Sequence, residues 1–148
     1  MRWQNYILKK NNLNIKYICC APENLNFKNE FDVILNMEVV EHVSNVDLFI
    51  QNCSKLIKKN GIMFVATINK NLKSYIFGIV GAEYILRWLP IGTHDWDKFL
   101  TPQKLKNIVC NNNFLADETV GVKFNVLSNK WNVSNDTSVN YISTFLKN

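Results

Sequence analysis

The feature that most constrains this chain is an amphipathic segment placed between two short apolar runs. Residues 31–36 and 62–68 are almost continuously apolar and rich in β-branched side chains, which is typical of buried strands. Residues 46–58 carry apolar side chains at helical spacing, and Gly61 follows as a stop signal. The side chains predicted to face inward from this helix are Leu48, Phe49, Cys53, Leu56 and Ile57. This order predicts a right-handed crossover within a parallel sheet that is covered on both faces.

Further patterns extend this sheet. Residues 15–20 form another apolar, β-branched run and predict a buried strand. A Thr-Pro pair beginning at Thr101 is a helix-start signal. It predicts a helix over residues 102–112, and two strands are predicted near 114–124 and 139–146. No repeat or flexible linker interrupts the pattern, so residues 1–148 are predicted to form a single α/β domain.

Charge and cysteine content narrow the functional class. The net charge of +5 comes from lysines scattered among asparagines, with no basic helix, so nucleic-acid binding is not predicted. The four cysteines lack CxxC spacing, which favours buried thiols in a reducing compartment. The longest apolar stretch, residues 75–89, contains Glu83 and Arg87 and is shorter than the roughly 20 residues of a transmembrane helix.

Ionisable side chains cluster directly after the 31–36 run. Glu38, Glu41 and His42 lie at positions i, i+3 and i+4, which would place them on one face of a helix. Such a set can hold a divalent cation, or His42 can act as a general base without a metal. The alternative is a solvated acidic patch at a helix start. The second histidine, His94, is either catalytic or a loop residue that caps a turn.

Three segments carry a resemblance to a known family. They are Asn36 to Val43, Leu56 to Gly61, and Asn69 to Trp96, the last including Gly92-Thr93-His94-Asp95. The first two are similar to class I methyltransferases in general. The third resembles the ubiquinone-biosynthesis O-methyltransferases. This resemblance implies a partial Rossmann-like class I methyltransferase sheet with a helical lid insertion.

The resemblance also implies a chemistry. S-adenosylmethionine would be the cofactor, and the substrates would be polyprenylated catechols of the 3-demethylubiquinol type. Met37 matches a cofactor contact of the family, and Ala21 occupies the usual adenine-side position. The resemblance supports Glu38, Glu41 and His42 as magnesium-type ligands, and a bound metal would lower the pKa of the reacting hydroxyl. The position of His94 would suit the substrate pocket.

The chain has no GxGxG-type turn, which in this family lets the backbone approach the cofactor. The resemblance therefore implies a C-terminal part of a methyltransferase domain, lacking the first two strands of the sheet. Two outcomes are then open: the strands on either side of the gap collapse together, or a separate chain supplies the missing half. Three alternatives stay open: a non-catalytic remnant or split-gene fragment that binds a membrane or a partner, a methyltransferase of small soluble phenols, and a nucleic-acid-binding module.

Residues 71–100 are predicted to form the lid insertion. Within it, residues 75–89 are apolar nearly all round, and Lys70 and Lys73 precede them. An amphipathic helix of this kind can lie on a membrane surface, where a polyprenyl tail would be found. The expected location is therefore cytoplasmic and peripheral, at the inner face of a membrane.

Overall fold

A computed structural model describes residues 15–76, 95–125 and 128–148. Within them, five strands form one mixed sheet in the order β1-β2-β5-β3-β4. The strands are β1 (Phe31–Met37), β2 (Ile57–Ile68), β3 (Phe114–Asn125), β4 (Lys130–Ser134) and β5 (Asn140–Lys147). The helices are α1 (Val46–Leu56), the short α2 (Leu72–Ser74) and α3 (Pro102–Cys110), with 3-10 turns at Pro22–Asn24 and Trp96–Lys98.

The crossover from β1 through α1 to β2 is confirmed, and β1 and β2 pair in parallel. The Asn45 side chain accepts a hydrogen bond from the Leu48 amide and so caps α1. The predicted inward set is correct for Phe49, Cys53 and Leu56, but Leu48 is exposed. The other strand pairs are antiparallel, so the prediction of a parallel sheet holds only for β1 and β2.

Gly61 was expected to end the first helix, and that expectation is wrong. Helix α1 ends at Leu56, and Gly61 lies inside β2. A Cβ atom at this position would come within 2.9 Å of the Asp32 carbonyl oxygen on β1. The glycine therefore permits the close approach of two neighbouring strands.

Helices α1 and α3 cover one face of the sheet. The main core lies between them and inward-facing side chains of β2, β3 and β5, including Met63, Val65, Phe114 and Phe145. The Thr101 hydroxyl caps α3 by accepting a hydrogen bond from the Lys104 amide, as the Thr-Pro signal predicted.

The opposite face of the sheet, called here the open face, carries apolar side chains of β1, β2 and β5. Its members are Val33, Leu35, Met37, Ile62, Phe64 and Leu146, which the strand register places on one side. The β1 members are about half exposed or more, and Leu35 reaches 64%. Among the described residues, this face is covered at the end of β2, where Ile68 packs with Phe99 and Trp96. The expectation of a sheet covered on both faces is therefore wrong for the described part of the chain.

Residues 15–20 do not form the predicted buried strand. They form no regular element and are exposed, and no described strand pairs with them. A strand requires a neighbour that accepts its backbone hydrogen bonds, and the apolar composition of this run does not supply one. Cys19 and Cys20 are exposed with it, contrary to the expectation of buried thiols, whereas Cys53 is buried.

Polar contacts join the chain leaving β2 to the loop between β4 and β5. The side-chain amides of Asn69 and Asn71 donate to the carbonyl oxygens of Thr137 and Ser138, at 2.9 and 2.7 Å. Asp136 lies between two lysine ammonium groups, 3.2 Å from Lys73 and 2.9 Å from Lys123. Hydrogen bonds from Lys123 and Ser138, and then from Lys73, hold the pKa of the Asp136 carboxyl well below its usual range.

Candidate active site

The chain turns sharply at the carboxyl end of β1. Glu38 adopts a left-handed conformation with φ of 54°, and its amide donates to the Ala66 carbonyl of β2 at 3.0 Å. The His42 amide donates to the Val39 carbonyl at 2.9 Å and closes a turn. The predicted helical face shared by Glu38, Glu41 and His42 is therefore wrong, because a left-handed residue interrupts the helix before it can begin.

Glu41 is buried at the junction of β1 and β2, with 2% of its surface exposed. Its Oε2 accepts a hydrogen bond of 2.8 Å from the hydroxyl of Thr67, which is itself fully buried. Its Oε1 has no hydrogen-bond partner among the residues that the structure describes. A buried carboxyl oxygen without a donor is energetically costly and is uncommon outside functional sites.

Glu38 and Tyr141 complete a group that we call the carboxyl cluster: Glu38, Glu41, Thr67 and Tyr141. Although part of Glu38 is exposed, burial of its carboxyl raises its pKa to about 8. The neighbouring Glu41 carboxyl acts in the same direction. Tyr141 pairs with Thr67 in the sheet and donates to the Leu100 carbonyl at 2.9 Å. Burial, followed by the nearby Glu41 and Glu38 charges, raises the pKa of its phenol.

The cluster does not have the form of a metal centre. In residues 15–76, 95–125 and 128–148, no three His, Cys, Asp or Glu side chains converge as metal ligands. Glu41 is buried whereas His42 is exposed, so these two side chains lie in different environments. Magnesium and calcium are held by several converging oxygen ligands. The magnesium-type site predicted from Glu38, Glu41 and His42 is therefore not supported by this geometry.

The remaining predicted site residues lie apart from the carboxyl cluster or at its edge. Met37 ends β1 directly before Glu38 and is half exposed. Ala21 is exposed and precedes the 3-10 turn at Pro22–Asn24. His94 lies outside the described residues. Sequence reasoning missed Thr67, although a single hydroxyl within the apolar 62–68 run was a usable signal.

An open apolar groove lies beyond the carboxyl end of β2. It is lined by Leu72, Tyr75 and Trp96, and the two aromatic rings meet edge to face with centroids 6.0 Å apart. The Lys70 ammonium lies 4.7 Å from the Trp96 ring. An apolar groove bordered by a cation can accept a hydrophobic chain attached to a polar head. None of the helices in the described residues is long and apolar enough to span a membrane.

Comparisons with known proteins find methyltransferases by sequence and by fold. The family described as "Methyltransferase domain" matches residues 3–65. A ubiquinone biosynthesis O-methyltransferase from Pelagibacter ubique is 61% identical, over 95% of this chain and 58% of its own length. The corresponding enzyme from Bartonella tribocorum is 51% identical, over 90% of this chain and 54% of its own.

The fold comparison agrees with the sequence comparison. Magnesium protoporphyrin IX methyltransferase from Synechocystis, solved with bound S-adenosylhomocysteine, superposes with a TM-score of 0.64 at 12% identity. That match covers 98% of this chain and 57% of the other. The chain thus spans a little more than half of the length of each of these three proteins. These findings identify it as a homologue of the ubiquinone-biosynthesis O-methyltransferases that carries part of a class I methyltransferase fold.

Proposed function

We propose that this chain takes part in the S-adenosylmethionine-dependent O-methylation of a polyprenylated catechol of the 3-demethylubiquinol type. The observation that carries the proposal is the carboxyl cluster at the shared carboxyl end of β1 and β2. In open α/β sheets, ligands bind at the carboxyl ends of the strands. The names of the relatives support the pathway and the reaction class.

The cluster supplies a group that can accept a proton from a catechol hydroxyl. A phenol oxygen must lose its proton as it bonds to the methyl carbon, and a nearby base with a pKa close to the working pH is best suited to take it. Glu38 meets this requirement because its pKa is about 8 and it is partly exposed. Glu41, fixed by Thr67, keeps a second carboxyl beside it. His42, exposed in the same turn, is the alternative proton acceptor.

Met37 and Ala21 are the proposed contacts on one side of the cofactor. Met37 presents a half-exposed apolar side chain beside Glu38, and Ala21 is exposed where it precedes the 3-10 turn at Pro22–Asn24. S-adenosylmethionine, when bound, supplies the methyl group. The sequence contains no Gly-rich turn to hold the rest of the cofactor. We therefore propose that cofactor binding requires polypeptide beyond the described residues.

The proposal can be tested in a chimera that replaces the matching segment of the Pelagibacter relative with this chain. The chimera is expected to methylate a short-chain prenylated catechol. Glu38→Gln should lower kcat by about 100-fold, because it removes the proton acceptor. Glu30→Gln, an exposed carboxylate beside β1, serves as the matched control and should leave kcat unchanged. A folded chimera that binds S-adenosylhomocysteine but transfers no methyl group would contradict the proposal and favour a non-catalytic role.

We also propose that the chain meets its substrate at a membrane surface. Leu72, Tyr75 and Ile76 are exposed apolar side chains next to Lys70 and Lys73, a combination suited to anionic lipid. The rest of the predicted insertion, residues 77–94, lies outside the described residues.

Leu72→Glu is therefore expected to reduce severalfold the fraction of protein that sediments with anionic vesicles. Its control is Val133→Glu, because Val133 and Leu72 are equally exposed at 72% and Val133 lies on the edge strand β4. Equal sedimentation of Leu72→Glu and the unmodified chain would refute membrane contact through this surface.

A further inference from the structure

Residues 58–61 form a bulge near the start of β2. The parallel register pairs Phe31 with Ile57, and its next pair is Val33 with Ile62. Four residues of β2 therefore stand opposite a single residue of β1. The first three residues of the bulge are exposed and the fourth is buried. The bulge lies at the amino end of β1 and β2, whereas the carboxyl cluster lies at their carboxyl end, so what happens here does not depend on the proposed function.

The bulge contains the one Asn-Gly pair of the sequence, Asn60 and Gly61. Asn60 is exposed and adopts a left-handed conformation with φ of 63°. Three other described asparagines, Asn29, Asn113 and Asn129, share this conformation, with φ between 48° and 64°. Each of these three is followed by a residue that carries a side chain. Asn60 therefore differs from its conformational counterparts in the residue that comes after it.

We infer that Asn60 is a site of spontaneous covalent modification, at which the side-chain amide is lost and the link to Gly61 is rearranged. The backbone nitrogen of Gly61 attacks the side-chain carbonyl carbon of Asn60. A C–N bond forms and closes a succinimide ring, and the amide nitrogen leaves as ammonia with the proton of the Gly61 nitrogen. Water then opens the ring at either carbonyl and yields aspartate or isoaspartate. The attack is favoured before glycine, because no side chain shields the nitrogen or restricts the backbone.

The isoaspartate product would disturb the contact between β1 and β2. In isoaspartate the main chain runs through the former side chain, which adds an atom to the backbone directly before Gly61. The structure has no space for displacement there. A Cβ atom on Gly61 would lie 2.6 Å from the Ile57 side chain and 2.9 Å from the Asp32 carbonyl oxygen. Modification should therefore loosen the amino end of β1.

Ageing of the full chain in warm, mildly alkaline buffer tests the inference. Peptide mass spectrometry should show conversion of the amide to an acid at Asn60 about tenfold faster or more than at Asn29, Asn113 or Asn129, because glycine lets the backbone reach the attacking geometry. Fragment ions distinguish the isoaspartate product from aspartate. Equal conversion at the four asparagines, or conversion of Asn60 only after the chain is unfolded in urea, would overturn the inference.

Two glycine variants separate this modification from other effects of ageing. Asn60→Gly removes the reactive amide, and glycine accepts the left-handed conformation of this position without strain. Hydrogen exchange of the Phe31–Met37 amides should become faster as the unmodified chain ages and should stay constant in Asn60→Gly. Asn129→Gly, in the turn before β4, is the matched control and should age like the unmodified chain. Equal loss of β1 protection in Asn60→Gly and the unmodified chain would refute the assignment to Asn60.

Discussion

Replacing Phe145 with alanine is expected to lower the free energy of unfolding by about 3–5 kcal/mol. Phe145 is 1% exposed on β5, pairs with Met63 of β2, and belongs to the main core beneath α1 and α3. Truncation removes the transfer free energy of the ring and leaves a cavity that the surrounding sheet cannot close. Urea unfolding followed by far-UV circular dichroism measures the change.

The next residue along the strand provides the control. Leu146 points to the open face and is 39% exposed, so Leu146→Ala should cost about 1 kcal/mol or less. The two substitutions therefore distinguish the two faces of one strand. Comparable losses for Phe145→Ala and Leu146→Ala would contradict the one-sided core described here.

Glu38→Gln is expected to remove a pH-dependent loss of stability. The folded pKa of Glu38 is about 8, raised from an ordinary value of 4.5, so the folded state holds a proton that the unfolded state releases. Stability should therefore fall as the pH rises from about 5 to about 8. Solvent contact by Glu38 reduces the size of this effect but not its sign. Glu38→Gln carries no titrating group at this position, so its stability should vary less with pH.

Thermal or urea unfolding at a series of pH values provides the measurement. Glu30→Gln removes an exposed carboxylate at the start of β1 and should keep the pH profile of the unmodified chain. A Glu38→Gln profile that still declines as steeply between pH 5 and pH 8 would show that Glu38 is not the group responsible.

Local patterns predicted most of the elements, and for α1, β2 and α3 the pattern coincides with burial. The runs at 31–36 and 62–68 became β1 and most of β2, and the amphipathic segment between them became α1. The Thr-Pro signal located α3 to within two residues. Periodicity identifies which side chains are buried, and these elements are held by burial on at least one side.

Contacts between elements were not predictable in the same way. Residues 15–20 have a strand composition but no strand to pair with in the described chain. Strand β4 was missed because its side chains are mostly exposed, so no alternation of buried positions marks it. Strand direction also depends on which elements pair, and this left the antiparallel half of the sheet unpredicted.

The candidate site was also predicted only in part, because its geometry depends on contacts between elements. The sequence identified Glu38, Glu41 and His42 as a group, but it assumed helical geometry for them. One left-handed residue, Glu38, placed the Glu41 carboxyl against Thr67 and left His42 exposed. Thr67 comes from the next strand, so its partnership with Glu41 depends on the register between β1 and β2 rather than on spacing along the chain.

The polar contacts around Asp136 limit how the sequence of this protein can evolve. Composition alone would class the Asn- and Ser-rich segment before β5 as a freely variable surface loop. Yet its backbone carbonyls and its one carboxylate fix the chain where it leaves β2. Insertions there would displace Asn69 and Asn71 as well, so substitutions in the two segments should be inherited together.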